Sequence, residues 1–333
     1  MINLALLGAG RIGSIHGRNA RQHPDVNLVG LFDPYSPNAD QLANELGCDQ
    51  LTLDDAFDRE DIDGILICSA TDTHADFIER AANAGKHVFC EKPVDLSLER
   101  VQACIDRVSG STRAIMVAFN RRFDPNFSAL QHQIAQGAIG EIELVNIISK
   151  DPGPPPVEYI QVSGGLFRDM TIHDFDMARY LLGESITSVS AEASCLVDAG
   201  IAEAGDSDTA IVNMTSVNGK LVQISNSRRA NYGYDQRIEV HGSKGLLIAE
   251  NVNEHTLSHY DQQGKHSAKP LYFFLERYEA AYRRELSQFI QHIGDPSANP
   301  IPTLEDGLQS LRLAEAAIQS NETGRRIRMD TIN

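Results

Sequence analysis

No stretch of this 333-residue chain approaches the run of about 18 apolar residues that a membrane-spanning helix needs, which excludes that class of protein. Positive charge is scarce. Against 46 Asp and Glu stand 29 Lys and Arg, a formal net charge of -17. That balance argues against the basic patches that hold nucleic acid or an anionic membrane surface. Arg228-Arg229 is too short a cluster to make one and reads as a solvated strand end. Cysteine is sparse: Cys48, Cys68, Cys90, Cys104 and Cys195 are an odd five, widely spaced, with no CxxC. With Cys68, Cys90 and Cys195 in apolar or β-rich runs, they read as small buried hydrophobes in a reducing cytoplasm. His241, His255, His259 and His266 lack ligand spacing with any Cys or carboxylate set, so no metal is expected. Neither a basic segment nor a cleavage site precedes the apolar run Ile2 to Leu7, which supports a cytoplasmic location. Internal repeats and low-complexity tracts are absent as well.

What is present is an ordinary globular composition, 42% apolar and 23% charged, at a length that suggests two domains. Up to about residue 120, short apolar runs alternate with helical stretches. Strands are expected at Asn3 to Leu7, Asn27 to Phe32, Ile65 to Cys68, His87 to Cys90 and Ala114 to Phe119. Such alternation predicts an α/β Rossmann domain over residues 1–120, with a parallel sheet covered by helices on both faces. After residue 120 the texture changes. The spacing predicts one helix from Gly165 to Leu182, then strands at Val189 to Val197, Thr209 to Ser216, Leu221 to Arg228, Gln236 to His241 and Leu246 to Ile248. Consecutive strands without helices between them predict an α+β domain, residues 121–333, built on a large, open, mostly antiparallel sheet. The closing helices, about Phe273 to Ile293 and Leu304 to Ser320, are placed to pack back on the first domain.

Gly8-Ala9-Gly10-Arg11-Ile12-Gly13 fits G-x-G-x-x-G where it carries meaning, after a first strand and at the start of a helix. Gly8 permits the tight turn, Gly10 lets a pyrophosphate approach the backbone, and Gly13 lets helix and strand pack closely. Phosphates would then meet the helix N-terminus. Asp33, at the end of the second strand, would accept hydrogen bonds from an adenosine ribose and repel a 2′-phosphate, which favours NAD. Arg11 offers a positive charge near that ribose and leaves NADP possible.

Two further segments carry chemistry. In Gly85-Lys86-His87-Val88-Phe89-Cys90-Glu91-Lys92-Pro93 a strand ends in Glu-Lys-Pro, with a Lys92–Pro93 bond suited to the cis form. Carboxyl ends of parallel strands are where ligands bind in open α/β sheets, so Lys92 is placed beside a cofactor. In Gly164-Gly165-Leu166-Phe167-Arg168-Asp169-Met170-Thr171-Ile172-His173-Asp174, Asp169 and His173 are four apart and share a helix face. An imidazole oriented by a carboxylate can take the hydroxyl proton when a secondary alcohol loses hydride.

The GAGRIG start, Thr71-Asp72-Thr73-His74, Ala84-Gly85-Lys86-His87-Val88, Glu91-Lys92-Pro93, the Asp169-to-His173 segment and the terminal Gly307-Leu308 … Ala314-Glu315-Ala316-Ala317 … Ser320 … Thr323-Gly324-Arg325 follow one another in order. Together they resemble the glucose–fructose oxidoreductase/inositol dehydrogenase (Gfo/Idh/MocA) family over essentially the whole chain. Phe119-Asn120-Arg121-Arg122-Phe123-Asp124 and Tyr232-Gly233-Tyr234-Asp235 are similar to its inositol-oxidising branch. The resemblance implies an NAD-dependent dehydrogenase of a cyclic polyol, myo-inositol going to its 2-ketone. Another sugar, an anhydrosugar or scyllo-inositol is the alternative substrate. A dinucleotide-binding regulator without turnover is the alternative of another class, which Lys92, Asp169 and His173 together count against. By the same resemblance His173 is the base, Asp169 supports it, and Lys92 polarises the reacting oxygen. Arg121, Asp151 and Tyr234 then contact the polyol; Ser69, Thr71, His74 and Glu91 join Gly8, Gly10, Arg11, Ile12, Gly13, Asp33 and Lys92 at the cofactor. Homodimers or homotetramers packed through the open sheet are implied too.

Overall fold

β1 (Ile2–Leu7) is apolar almost throughout, and Leu4 to Leu7 are fully buried. A strand with no polar face belongs at the centre of a sheet covered on both sides. With β2 (Val26–Phe32), β3 (Asp49–Gln50), β4 (Gly64–Ile67), β5 (His87–Glu91) and β6 (Ile115–Ala118) it forms a six-stranded sheet in the order β3-β2-β1-β4-β5-β6. Every pair is parallel. The order reverses direction between β1 and β4, and the loops after β1, β2, β4 and β5 flank that point, where open α/β sheets take their ligands.

The structure is a computed structural model that describes residues 1–332. They fall into two units, the first comprising Met1–Phe123 with Ala281–Leu311, the second Asp124–Ala280 with Arg312 onwards. Helix Glu279–Gly294 explains the return of the chain to the first unit. Its Leu286, Phe289 and Ile290 are buried in one cluster with Leu4, Leu6, Leu66, Phe89 and Met116. Thr303 and Asp306 exchange both capping hydrogen bonds at the start of helix Leu304–Thr323, at 2.9 and 3.2 Å.

The second unit is organised by β7 (Ile142–Lys150), β8 (Ile186–Ser194), β9 (Thr209–Ser216), β10 (Leu221–Ser227), β11 (Asp235–Gly242) and β12 (Gly245–Ala249). An exposed hairpin, β13 (Ser258–Asp261) with β14 (Gly264–Ser267), and a short β15 (Ile327–Arg328) complete the strands. The large sheet runs β12-β11-β7-β10-β9-β8-β15. It is antiparallel except that β10 lies parallel to β7, because β8, β9 and β10 form a meander whose last strand docks on β7 in β7's own direction. One face is covered by helix Ile172–Leu182, where Phe175, Met177 and Ala178 are fully buried. The other face exposes apolar side chains, Ile211, Leu221, Leu246 and Ile248 among them.

Two expectations are corrected. The single helix expected from Gly165 to Leu182 is a π-helical turn, Phe167–Thr171, followed by the α-helix Ile172–Leu182. Asp169 thus lies in the wide turn, and regular α-helical spacing does not describe its relation to His173. Cys48 and Cys195, expected among buried hydrophobes, are only half-buried, and the Cys195 thiol lies 3.1 Å from Asp208 Oδ2.

Candidate active site

The loop after β1 is glycine-dependent in two different ways. Gly8 has φ +104°, and a Cβ there would sit 2.4 Å from the Cys68 carbonyl oxygen; a Cβ on Gly13 would sit 2.0 Å from the Gly8 carbonyl oxygen. Gly10 is the opposite case, since a Cβ there meets nothing within 4 Å. Backbone packing demands the first and third glycines, and the second marks the open side of the turn. Helix Arg11–Gln22 begins there with no side-chain cap and no acidic residue in its first turn. Its leading N–H groups and dipole therefore favour an anion. Arg11 is exposed and Ile12 half-buried at this start. Asp33, one residue beyond β2, accepts from Ala9 N at 2.7 Å and from Tyr35 N and Ser36 N at 2.9 Å each. The carboxylate thus fixes the glycine loop to the end of β2 and keeps lone pairs to spare.

The ends of β4 and β5 are cross-tied. Ser69 follows β4, and its hydroxyl lies 2.6 Å from that of Thr73; Thr71 opens helix Thr71–Asn83. His74 is buried with Nδ1 2.8 Å from the Pro93 carbonyl and Nε2 3.1 Å from the Ser69 carbonyl. Burial pushes its pKa down, against those two carbonyls that raise it. The Lys92–Pro93 peptide is cis. Glu91 closes β5; its Oε1 lies 2.8 Å from His16 Nε2, and its Oε2 accepts the Lys92 backbone N–H at 3.3 Å. Arg121, buried, stands in the turn Asn120–Phe123 beyond β6. The predicted residues of this unit thus gather at the carboxyl ends of its strands.

In the second unit, three strand ends meet. The β7–β11 register pairs Lys150 with Asp235, and the β10–β7 register pairs Ser227 with Lys150. Asp151, Arg228 and Tyr234, each one residue beyond a strand, therefore share one edge. Asp151 N donates to the Ser227 carbonyl at 2.9 Å, and the Tyr234 ring packs edge-on against Tyr278, 5.9 Å between centroids. The segment carrying Asp169 and His173 is latched to this edge by Asn226. The Asn226 amide oxygen accepts from Thr171 Oγ1 at 2.7 Å, and its Nδ2 donates to Asp174 at 2.8 Å. Asp169 accepts from Tyr159 Oη at 3.0 Å, and Arg228 Nη2 lies 3.9 Å from its other oxygen.

Arg228 corrects the sequence reading. It is 1% exposed, not a solvated strand end. Its neighbours are two acids, Asp169 and, at 3.8 Å, Asp206, because strand alternation along β10 turns Val222, Ile224, Asn226 and Arg228 inward. That two-residue period was the available signal. Gly165 (φ +81°) leaves room for Asp206, whose Oδ1 would lie 2.7 Å from a Cβ there and instead accepts from Leu166 N at 3.0 Å.

The family profile described as "Oxidoreductase family, NAD-binding Rossmann fold" matches residues 2–119, and "Oxidoreductase family, C-terminal alpha/beta domain" matches residues 131–329. The chain belongs to the Gfo/Idh/MocA oxidoreductase family. An inositol 2-dehydrogenase of Rhizobium meliloti is 50% identical over 98% of this chain and 98% of its own. A crystal structure of a myo-inositol dehydrogenase from Corynebacterium glutamicum superposes with a TM-score of 0.93 at 44% identity, over 98% of each chain. The structure of a scyllo-inositol dehydrogenase from Lactobacillus casei with bound NAD(H) and scyllo-inositol gives a TM-score of 0.91 at 28% identity, over 99% of this chain and 100% of that one. This chain carries the family's NAD-binding Rossmann fold, and its residues fit the dinucleotide. The open space at Gly10 and the uncapped helix start would take the pyrophosphate, with Asp33 at the adenosine ribose.

Asp208 supports the loop beside Arg228 and yields a stability prediction. Hydrogen bonds from the Leu196, Val197 and Asp198 amides and the Cys195 thiol outweigh the opposing effect of burial and hold its carboxyl at about 2. A carboxyl depressed in the fold stabilises above its unfolded pKa and loses that contribution as pH falls through the folded value. Asp208→Asn should therefore cost about 2 kcal/mol at pH 7, with the gap to wild type closing between about pH 4 and pH 2 in denaturant titrations. An unchanged gap at low pH would remove the charge from the account.

Proposed function

We propose that this protein is an NAD-dependent inositol 2-dehydrogenase that oxidises the C2 alcohol of myo-inositol to the ketone. The observation that carries this reading is the end-to-end 50% identity with an inositol 2-dehydrogenase. The polar edge formed by Asp151, Arg228, Tyr234 and the Asp169–His173 segment supports it, since a hydroxyl-rich ring needs such a cluster of donors and acceptors.

NAD, when bound, supplies the acceptor for the hydride. The chain supplies everything else. His173 takes the hydroxyl proton and Asp169 supports the resulting charge. Lys92 donates to the reacting oxygen and stabilises the alkoxide character that grows as the C–H bond breaks. Arg121, Asp151 and Tyr234 hold other hydroxyls of the ring. Ser69, Thr71, His74 and Glu91 shape the cofactor's nicotinamide end. The protein works in the cytoplasm as a homodimer or homotetramer joined through the exposed sheet face; light scattering on the purified protein tests the assembly.

The test is absorbance of reduced nicotinamide across myo-inositol, scyllo-inositol, other inositols and aldoses, each with NAD and NADP. myo-Inositol with NAD should give the highest kcat/KM. Higher kcat/KM with an aldose would replace the substrate, and no turnover with any polyol would overturn the reading. Asp33→Asn should raise the KM for NAD about tenfold and shift preference toward NADP, because the charge that repels a 2′-phosphate is gone. An unaltered NAD/NADP ratio would take Asp33 out of cofactor selection.

A further inference from the structure

Three ionisable side chains meet inside the first unit. They are His16 from helix Arg11–Gln22, Glu91 at the end of β5 and Glu285 from helix Glu279–Gly294. Their contacting atoms all lie within 4.8 Å of one another. His16 and Glu285 are fully buried, and Glu91 is 12% exposed at its side chain. His16 Nε2 is 2.8 Å from Glu91 Oε1 and 3.7 Å from Glu285 Oε1. The His16 ring is enclosed edge-on by Phe89 and Tyr282.

We propose that Glu285 is held as a neutral carboxylic acid and that, through His16 and Glu91, it positions the Glu91–Lys92 strand end for the reaction. The inference rests on the reading of Lys92 as the group that meets the reacting oxygen.

Hydrogen bonding assigns the charges. Neither Glu285 oxygen has a hydrogen-bond partner, and neither does His16 Nδ1. A buried N–H or carboxylate without a partner is costly, so His16 carries its proton on Nε2 and donates it to Glu91. Glu91 is the acid with donors, His16 on one oxygen and the Lys92 backbone N–H on the other. It takes the negative charge. A second carboxylate this close, with no donor of its own, would face both desolvation and like-charge repulsion. Burial and the Glu91 charge accordingly push the Glu285 carboxyl well up. The nearby Cys68 thiol is also pushed up, chiefly by burial, and stays neutral. The cluster then carries one charge, placed where it grips the backbone of the lysine. With His74 on the Pro93 carbonyl, Lys92 is held from both sides. The signal in the sequence was the buried stripe Gly13, His16, Gly17 and Ala20 on a helix, in which a histidine replaces an apolar residue.

Infrared difference spectroscopy at pH 7 between the wild type and Glu285→Gln tests the proton without any turnover. A protonated-carboxyl C=O band that shifts in D2O and vanishes in Glu285→Gln supports the assignment. Its absence in the wild type, or a stoichiometric divalent metal lost in Glu285→Gln, overturns it. For the positioning role, Glu285→Gln should keep kcat within about twofold, because an amide is also neutral and of the same shape. His16→Phe and Glu285→Ala should lower kcat about tenfold or more while NADH affinity, read by fluorescence, changes far less. A tenfold loss in Glu285→Gln, or full activity in a folded His16→Phe, ends the positioning claim. A protein that turns over no polyol but shows the band refutes the proposed function and leaves the protonation standing.

Discussion

His173→Ala is expected to lower kcat with myo-inositol by about two to four orders of magnitude, the usual contribution of a positioned general base. The KM for NAD should hardly change, because residue 173 belongs to the second unit and the glycine loop to the first. The fold should survive. His173 is only half-buried, and its segment is latched by other residues, through Thr171 and Asp174 to Asn226. Added imidazole should restore part of the rate, which a merely structural loss would not allow. Wild-type turnover in this variant would take His173 out of the mechanism. Asn226→Leu provides the complementary measurement, since it breaks the latch without touching His173, the proposed base, and should cost both stability and rate.

Lys92→Met should be nearly as damaging, at about two to three orders of magnitude in kcat. Methionine keeps the length and apolar stem of the side chain and removes the ammonium, so the β5 end and its Glu91 hydrogen bond persist. What disappears is the charge that, in the proposed mechanism, stabilises the oxygen as its carbon is oxidised. The loss should therefore fall on kcat more than on the KM for inositol. Equal kcat with a raised KM would make Lys92 a binding residue only.

Much of the architecture was legible from residue order. Apolar runs spaced by helical stretches placed β1, β2, β4, β5 and β6, and the loss of helices after residue 182 placed the second sheet. The parallel contact of β7 with β10 was not legible, because it depends on where a meander docks rather than on any local pattern. The π turn was hidden for a related reason: its hydrogen-bond offset leaves no mark in the spacing of apolar side chains. At the site, Gly8 and Gly13 spoke clearly because each answers a steric demand, set by atoms that a Cβ would strike. Arg228 was misread by charge when its alternation with Val222 and Ile224 pointed inward. His16 and Glu285 passed unnoticed, since buried polar residues on amphipathic helices declare themselves only when their partners from distant parts of the chain are seen.

The Phe89 and Phe289 rings stack edge to face, 5.7 Å between centroids. Half of that aromatic pair is translated only after residues 124–280, the larger part of the sheet-bearing second unit, have been made. A fragment ending at Phe123 would expose Leu4, Leu6 and Phe89 to water and leave His16 of the glycine loop's helix without Tyr282 and Glu285. The nucleotide-holding half is thus not a portable cassette: exchanging it between proteins would require moving two separate stretches of gene together.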